Sequence, residues 1–241
     1  MKDVAVCIIS AITTALPDCR KAVAEQTGGP YPVYEVKNVF PMSAAFNAMI
    51  LSSPARFVVQ VDGDVVLKPW AVAELHRCIL ARPLYVCMVW GQLFEEGFGL
   101  GGSVRIWRRW PVQLFGFRDR RCVDRDLHMR VRRFGMCRYQ AHGEESCFGT
   151  HYPRQSLFER FSKARGDTAK WRHLGRFDLI WDHVHKYPPG LSVEARGRLA
   201  GLQMPKSEVE RSKNAREDWT VFWEDQMLAE MASGYGRDIN A

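Results

Sequence analysis

Helical patterns separate four short apolar runs in the first ninety residues: Val4–Ile9, Val33–Val36, Phe57–Val61 and Leu84–Trp90. Val4–Ile9 is continuous and β-branched, the pattern of a strand buried on both faces. Between the runs, one helix starts near Asp18 and stops at Gly28-Gly29-Pro30. A second, capped by Ser43, runs from Ala44 to about Ser53, with Phe46, Met49 and Ile50 on one stripe. A third opens at Pro69 and reaches about Leu80. This alternation predicts an α/β fold with a mostly parallel, Rossmann-like sheet and helices on both faces. Ligands of such sheets bind beyond the carboxyl ends of the strands.

Later residues are less regular. Glu95 to Ser103 is rich in glycine, and Val104–Trp107 reads as a strand. Asp124 to Phe134 reads as a helix, with Leu127, Val131 and Phe134 on one face and Gly135 past its end. Met136 to about Ala141 reads as a last strand. Beyond Pro153 the chain is polar and helical in texture, broken at Pro188-Pro189 and Pro205. Its clearest helix spans about Ala215 to Met231, with Trp219, Phe222, Trp223 and Met227 as the apolar stripe. We therefore expect one α/β domain over residues 1–153 and a mainly helical extension over 154–241.

With 241 residues, 46% of them hydrophobic, the chain can bury a sizeable core. No run is long and apolar enough to span a bilayer, and the start does not have the plan of a signal peptide. The seven cysteines are scattered, with no C-x-x-C pair, so buried free thiols are expected rather than a disulfide framework or zinc ribbon. The net charge of +7 is concentrated: Arg105 to Arg138 holds eleven arginines against three acids. Such a stretch suits phosphate, nucleic acid or an anionic membrane surface, and equally a solvated helix face. Gly97-Phe98-Gly99-Leu100-Gly101-Gly102 lacks the G-K-S/T ending of a Walker loop and opens no helix, so it is no dinucleotide fingerprint.

Asp62-Gly63-Asp64 follows the third apolar run. Two carboxylates two residues apart at a strand end can hold a hard divalent cation, Mn²⁺ or Mg²⁺, which bridges to a diphosphate. Gly63 lets a ligand approach the backbone. The stretch Ser43-Ala44-Ala45-Phe46-Asn47-Ala48-Met49, followed by Phe57-Val58-Val59-Gln60-Val61-Asp62-Gly63-Asp64, resembles the core of family 2-like GT-A glycosyltransferases. In that family a helix bearing S/A-x-A-x-N leads into an apolar strand ending in D-x-D.

The resemblance covers roughly residues 4–152 and implies a nucleotide-sugar site. It puts Asp62 near ribose and metal, Asp64 on the metal, Ser10, Ala11 and Ile12 along the nucleotide pocket, and Lys37 and Asn38 near base or ribose. Asn47 and Gly63 join these donor-binding residues. Val123-Asp124-Arg125-Asp126-Leu127-His128-Met129-Arg130, then Gly135, resembles the family's E-D-x-D-L-x-x-R helix start, with Val123 in place of the first acid. Asp124 then matches the general base that takes the acceptor hydroxyl proton. Asp126 reads as a helix-start acid that balances arginines. In many GT-A enzymes a histidine after the last core strand completes the metal shell; His151 matches best, with His142 as rival.

The implied activity is metal-dependent, inverting transfer of a hexosyl-type sugar from a UDP- or GDP-sugar to a glycan, lipid-linked or protein acceptor. Nucleic acid is not an expected partner. The expected location is the cytoplasm, with peripheral contact to the inner membrane face as a further option. The alternative reading is a non-catalytic nucleotide-sugar or glycan-binding module on the same fold.

Overall fold

The computed structural model describes residues 3–10, 15–95, 99–119, 123–142, 147–151, 164–168, 172, 175, 197 and 202. Ala11, Ile12 and the expected helix near 215–231 lie outside them. The chain divides into two compact units, Met1–Arg154 and Gln155–Ala241. In the second, residues 164–168 are helical, with Ala164, Arg165 and Thr168 buried.

The first unit runs β1 (Val4–Ser10), α1 (Leu16–Ala24), β2 (Val33–Lys37), α2 (Met42–Ser52), β3 (Phe57–Asp62), β4 (Val65–Leu67), α3 (Ala71–Leu80), β5 (Val86–Glu95), β6 (Gly99–Arg108), α4 (Arg109–Phe115), α5 (Val123–Arg132), β7 (Cys137–Gln140) and β8 (Gly149–His151). The sheet order is β2-β1-β3-β6-β5-β8-β4, with β7 also pairing with β5. β1 is parallel to β2 and β3, and β5 is parallel to β7 and β8. β6 is antiparallel to β3 and β5, and β4 is antiparallel to β8. All strands but β4 and β6 thus point one way, and the sheet is mostly parallel.

Side-chain alternation along the strands divides the core in two. On one face Val4, Val6, Ile8, Phe57, Val59 and Val61 pack with Cys19 and Val23 of α1 and Val72, Leu75 and Ile79 of α3. On the other, Cys7, Val58, Met88 and Trp107 pack with Phe46, Met49 and Ile50 of α2, Val112 of α4 and Leu127 and Val131 of α5. Helices therefore cover both faces.

Three expectations are corrected. β6 inserts between β3 and β5, because the chain after Trp90 continues to Glu95 and returns as an antiparallel hairpin partner. The glycine-rich stretch is therefore part of a strand from Gly99 onward. Ser43 does not cap α2; it is buried in the first turn, and the Pro41 carbonyl accepts from the N–H groups of Ala44 and Ala45. Pro69 stands before α3 rather than inside it. There Gln26 stitches the helix start to α1, donating to the carbonyls of Ala22 and Lys68 and accepting from the Val72 N–H at 2.9 Å.

The expected free thiols are present among the described residues: Cys7, Cys19, Cys78 and Cys87 are buried and unpaired in disulfides. No described helix is long and apolar enough to cross a membrane.

Candidate active site

β3 is apolar but for Gln60 until it reaches the carboxyl edge of the sheet, where Asp62 sits opposite Ile9 of β1. The ladder runs one step further, the Gly63 N–H donating to the Ile9 carbonyl at 2.8 Å. A Cβ on Gly63 would stand 2.7 Å from the Ser10 Cβ and 3.3 Å from its Cα, so the turn needs glycine for space. On the other side of β1, Ser10 is register partner to Lys37, and its carbonyl accepts from the Asn38 N–H at 2.9 Å. Asn38 turns there with φ +53°. Five of the expected donor-binding residues, Ser10, Lys37, Asn38, Asp62 and Gly63, thus gather at the carboxyl ends of three neighbouring parallel strands. The Lys37 ammonium lies 2.7 Å from Glu35 of its own strand.

Asn47 of α2 is held by the chain after α4. Its side-chain amide donates to the Phe117 carbonyl at 2.9 Å, and its Oδ1 accepts from the Phe117 N–H at 2.8 Å. Both ends of the amide thus hold the chain after α4.

After Gly63 the chain turns through Asp64 into β4. That strand pairs antiparallel with β8, bringing Val65 opposite His151. Asp64 Oδ1 lies 3.4 Å from His151 Nε2, and the other ring nitrogen, Nδ1, lies 2.6 Å from Glu95 Oε1. His151 is buried, whereas His142 is exposed, its ring edge-on to Tyr139 at 6.5 Å. Glu95 escaped the sequence reading. Its only signal was an acid closing a long apolar strand, and that strand's true length depends on partners far away in the chain.

Electrostatics link the two aspartates. Burial, and then the Asp64 charge, push the Asp62 carboxyl above its ordinary value, while Arg105, His151 and Gln60 pull it down. Beneath them, burial and the charges of Asp64 and Asp62 push the Cys19 thiol up to about 12, and its Sγ–H donates to the Asp62 carbonyl at 3.6 Å. A corner where two carboxylates repel, next to an imidazole, is one that a divalent cation relieves.

Among the described residues no group of three or more His, Cys, Asp or Glu side chains forms a ready cage for a metal ion. The corner offers instead one carboxylate oxygen of Asp64 and the Nε2 of His151, with Asp62 close enough to feel both. Mg²⁺ and Mn²⁺ are commonly held by one or two protein carboxylates plus substrate phosphates and water, and Mn²⁺ accepts imidazole, so the donor set fits a site that the substrate completes.

Gly102, whose Cβ would come within 2.9 Å of His151 Nδ1, also lines an open hollow of about 320 Å³ with Trp90, Ser103, Arg105, Asp124 and Arg138. Asp124 stands in the first turn of α5, and its Oδ2 is 3.0 Å from the Arg105 guanidinium. Asp126, by contrast, pairs with Arg130 one turn on, at 2.8 Å.

Three arginines of the basic stretch are spent on the fold. Buried Arg108 donates to the carbonyls of Ile79, Arg82 and Val86, Arg109 to Ile50, and Arg130 to Phe115 and Gly116. Arg105 faces the hollow instead. It is the register partner of Gln60, two residues before Asp62, a position visible only once β6 is known to lie beside β3. Trp107 is buried, donating to Gln60 Oε1 at 3.1 Å, while Trp110 is exposed.

No protein-family model matches the chain, and no curated protein matches it. Some solved structures are similar to the chain at low sequence identity. The chain is similar to a mannosyltransferase of Pyrobaculum calidifontis solved with GDP-Man and Mn²⁺, at 13% identity over 95% of this chain and 75% of that one, with TM-score 0.49. It is also similar to S. aureus TarS 1–349, at 10% identity over 67% of this chain and 63% of that one, with TM-score 0.48. A third likeness is to a 2-C-methyl-D-erythritol 4-phosphate cytidylyltransferase of Thermus thermophilus, at 12% identity over 62% of this chain and 93% of that one, with TM-score 0.40.

Proposed function

We propose that the chain is a metal-dependent glycosyltransferase that moves a sugar from a nucleotide-sugar donor to an acceptor hydroxyl with inversion at the anomeric carbon. One observation carries the reading: Asp64 and His151 face each other at the carboxyl edge of the sheet, beside a hollow that holds Asp124. Asp64 and His151 are the residues that would hold Mn²⁺ or Mg²⁺, with Asp62 supporting them. When bound, the cation supplies charge neutralisation on the departing nucleoside diphosphate.

The remaining work belongs to side chains. Ser10, Lys37 and Asn38 line the donor's nucleotide end, and the Gly63 turn lets its phosphates approach the backbone. In the hollow, Asp124 accepts the proton of the acceptor hydroxyl as that oxygen attacks the anomeric carbon, and the bond to the diphosphate oxygen breaks on the opposite side. Arg105 holds the Asp124 carboxylate in place. The donor class is a UDP- or GDP-sugar, and the acceptor a glycan, lipid-linked or protein hydroxyl.

The Arg105–Asp124 ion pair is also the observation that favours a second reading, a nucleotide-sugar-binding module without turnover, because the Oδ2 that pairs with the guanidinium is engaged rather than open to an acceptor hydroxyl. Screening UDP- and GDP-sugars with Mn²⁺ decides between the two. Thermal stabilisation with release of nucleoside diphosphate supports the enzyme. Stabilisation with no release across the panel and its acceptors leaves the module, and no stabilisation by any donor removes both.

A further inference from the structure

We infer that Glu95 is a positioning residue for His151, fixing the imidazole tautomer that leaves Nε2 facing Asp64, and that the glycine bulge of β6 makes the room for it. The inference rests on the proposed reading of Asp64 and His151 as cation ligands.

Backbone pairing sets the geometry first. In the parallel pair β5·β8, Glu95 is the register partner of His151, and on the other edge of β8 His151 is the partner of Val65. A three-residue strand clamped from both sides has little freedom, so the ring is delivered between the end of β5 and the Asp62–Asp64 turn.

The side chains then settle its orientation. Glu95 is 6% exposed, and a carboxylate that deep in a protein needs a strong partner. It has one in His151 Nδ1 at 2.6 Å, the short distance of a charge-assisted hydrogen bond. Of the two carboxylates flanking the ring, Glu95 makes the short hydrogen bond to Nδ1, whereas Asp64 Oδ1 stands 3.4 Å from Nε2 without one. The single proton of the neutral ring is therefore held on Nδ1 by the closer carboxylate, and the lone pair is on Nε2. A carboxylate behind a histidine, holding its tautomer and raising its basicity, is the arrangement that orients imidazole towards a metal.

The glycines are the second, independent observation. The β5·β6 register jumps between Gln92–Ser103 and Leu93–Gly101, leaving Gly102 as the extra residue of a bulge with φ +63°. A Cβ there would stand 2.9 Å from both Glu95 Oε1 and His151 Nδ1, on the hydrogen bond itself. A Cβ on Gly101 would stand 3.2 Å from the Glu95 carboxyl carbon. The pair Gly101-Gly102 is thus a notch without side chains, fitted around the Glu95–His151 contact.

The test joins ¹⁵N NMR of the histidine rings, on metal-free full-length protein above the imidazole titration, to Mn²⁺ affinity in the presence of UDP and of GDP by electron paramagnetic resonance. Wild-type His151 is expected as the Nδ1–H tautomer. Glu95→Ala should shift it towards Nε2–H and weaken Mn²⁺ binding about 10–100-fold. Glu95→Gln, whose amide oxygen still accepts, should keep the tautomer and most of the affinity, and Gly102→Ala should resemble Glu95→Ala. A wild-type Nε2–H tautomer overturns the inference even if Glu95→Ala fails to fold. So does a folded Glu95→Ala with unchanged tautomer and affinity. Should wild type bind no Mn²⁺ with either nucleotide, the glycosyltransferase reading fails, while the tautomer result still decides the role of Glu95.

Discussion

The guanidinium of Arg105 lies 3.0 Å from the carboxylate of Asp124, joining β6 to the first turn of α5 across the mouth of the hollow. Arg105 also acts on Asp62 through its charge, so the expected base and the Asp62–Asp64 corner share one cation. Asp124→Asn keeps the shape and most of the hydrogen bonding but removes the base. Steady-state transfer should fall by about 10²–10⁴-fold, the usual contribution of a positioned base, with donor binding in Mn²⁺ unchanged. Transfer that survives the substitution would move the base elsewhere.

Gly63→Ala places a methyl 2.7 Å from Ser10 Cβ and 3.3 Å from its Cα, so the ends of β1 and β3 must part. Overpacking of this kind costs about 1–3 kcal/mol. A lower melting temperature together with weaker UDP or GDP affinity is expected, because the same turn spaces Ser10 from Asp62. An unchanged melting temperature would show that the turn relaxes freely.

Asn47→Ala removes both hydrogen bonds to the Phe117 backbone. Loss of about 1–3 kcal/mol in urea unfolding is expected, from the unsatisfied peptide groups. Donor affinity should stay at the wild-type value. A selective loss of donor affinity at full stability would place Asn47 in the binding site.

Arg108 is 3% exposed and satisfies three backbone carbonyls. Burial, aided by the charge of Arg56, holds its pKa below the ordinary guanidinium value. Arg108→Leu strands those carbonyls and should destabilise the first unit by about 3 kcal/mol. The same change at exposed Arg132 should stay within about 0.5 kcal/mol. Equal effects at the two positions in denaturant titrations would contradict this division of the basic stretch.

Glu35 accepts from Arg20 at 2.7 and 2.9 Å and pairs with Lys37 at 2.7 Å. Those hydrogen bonds, Arg20 first and then Lys37, lower its pKa from 4.5 to about 2. The folded state therefore holds the proton less tightly than the unfolded chain. The stabilisation is fully present above about pH 4.5 and disappears as the pH falls through about 2. The stability gap between wild type and Glu35→Gln should accordingly close over that window in urea unfolding. A gap independent of pH would mean that the ion pairs contribute nothing measurable.

Much of the fold was legible in the residues. Val4–Ile9 and Phe57–Val61 could be read as covered strands because continuous β-branched runs have few other uses, and both became central strands of the sheet. The stripes of α2 and α5 declared most of their buried sides for the same reason, with Phe46, Met49, Leu127 and Val131 in the core, but Phe134, read onto the α5 stripe, lies beyond the helix end at Arg132 and is exposed. The strands β4 and β8 did not show. Three residues are too few for a period, and they are strands only because they found each other and β5 across many intervening residues.

By itself, then, the sequence determined the kinds of element and the place of Asp62-Gly63-Asp64 at a strand end, since local burial patterns and turn chemistry act within a few residues. Tertiary structure alone decided that β6 separates β3 from β5, that Arg105 rather than Arg108 faces the hollow, and that Glu95 stands behind His151. Those outcomes depend on register between strands distant in the chain. A shift of one residue there turns every side chain to the opposite face, and nothing local in the sequence records which register wins.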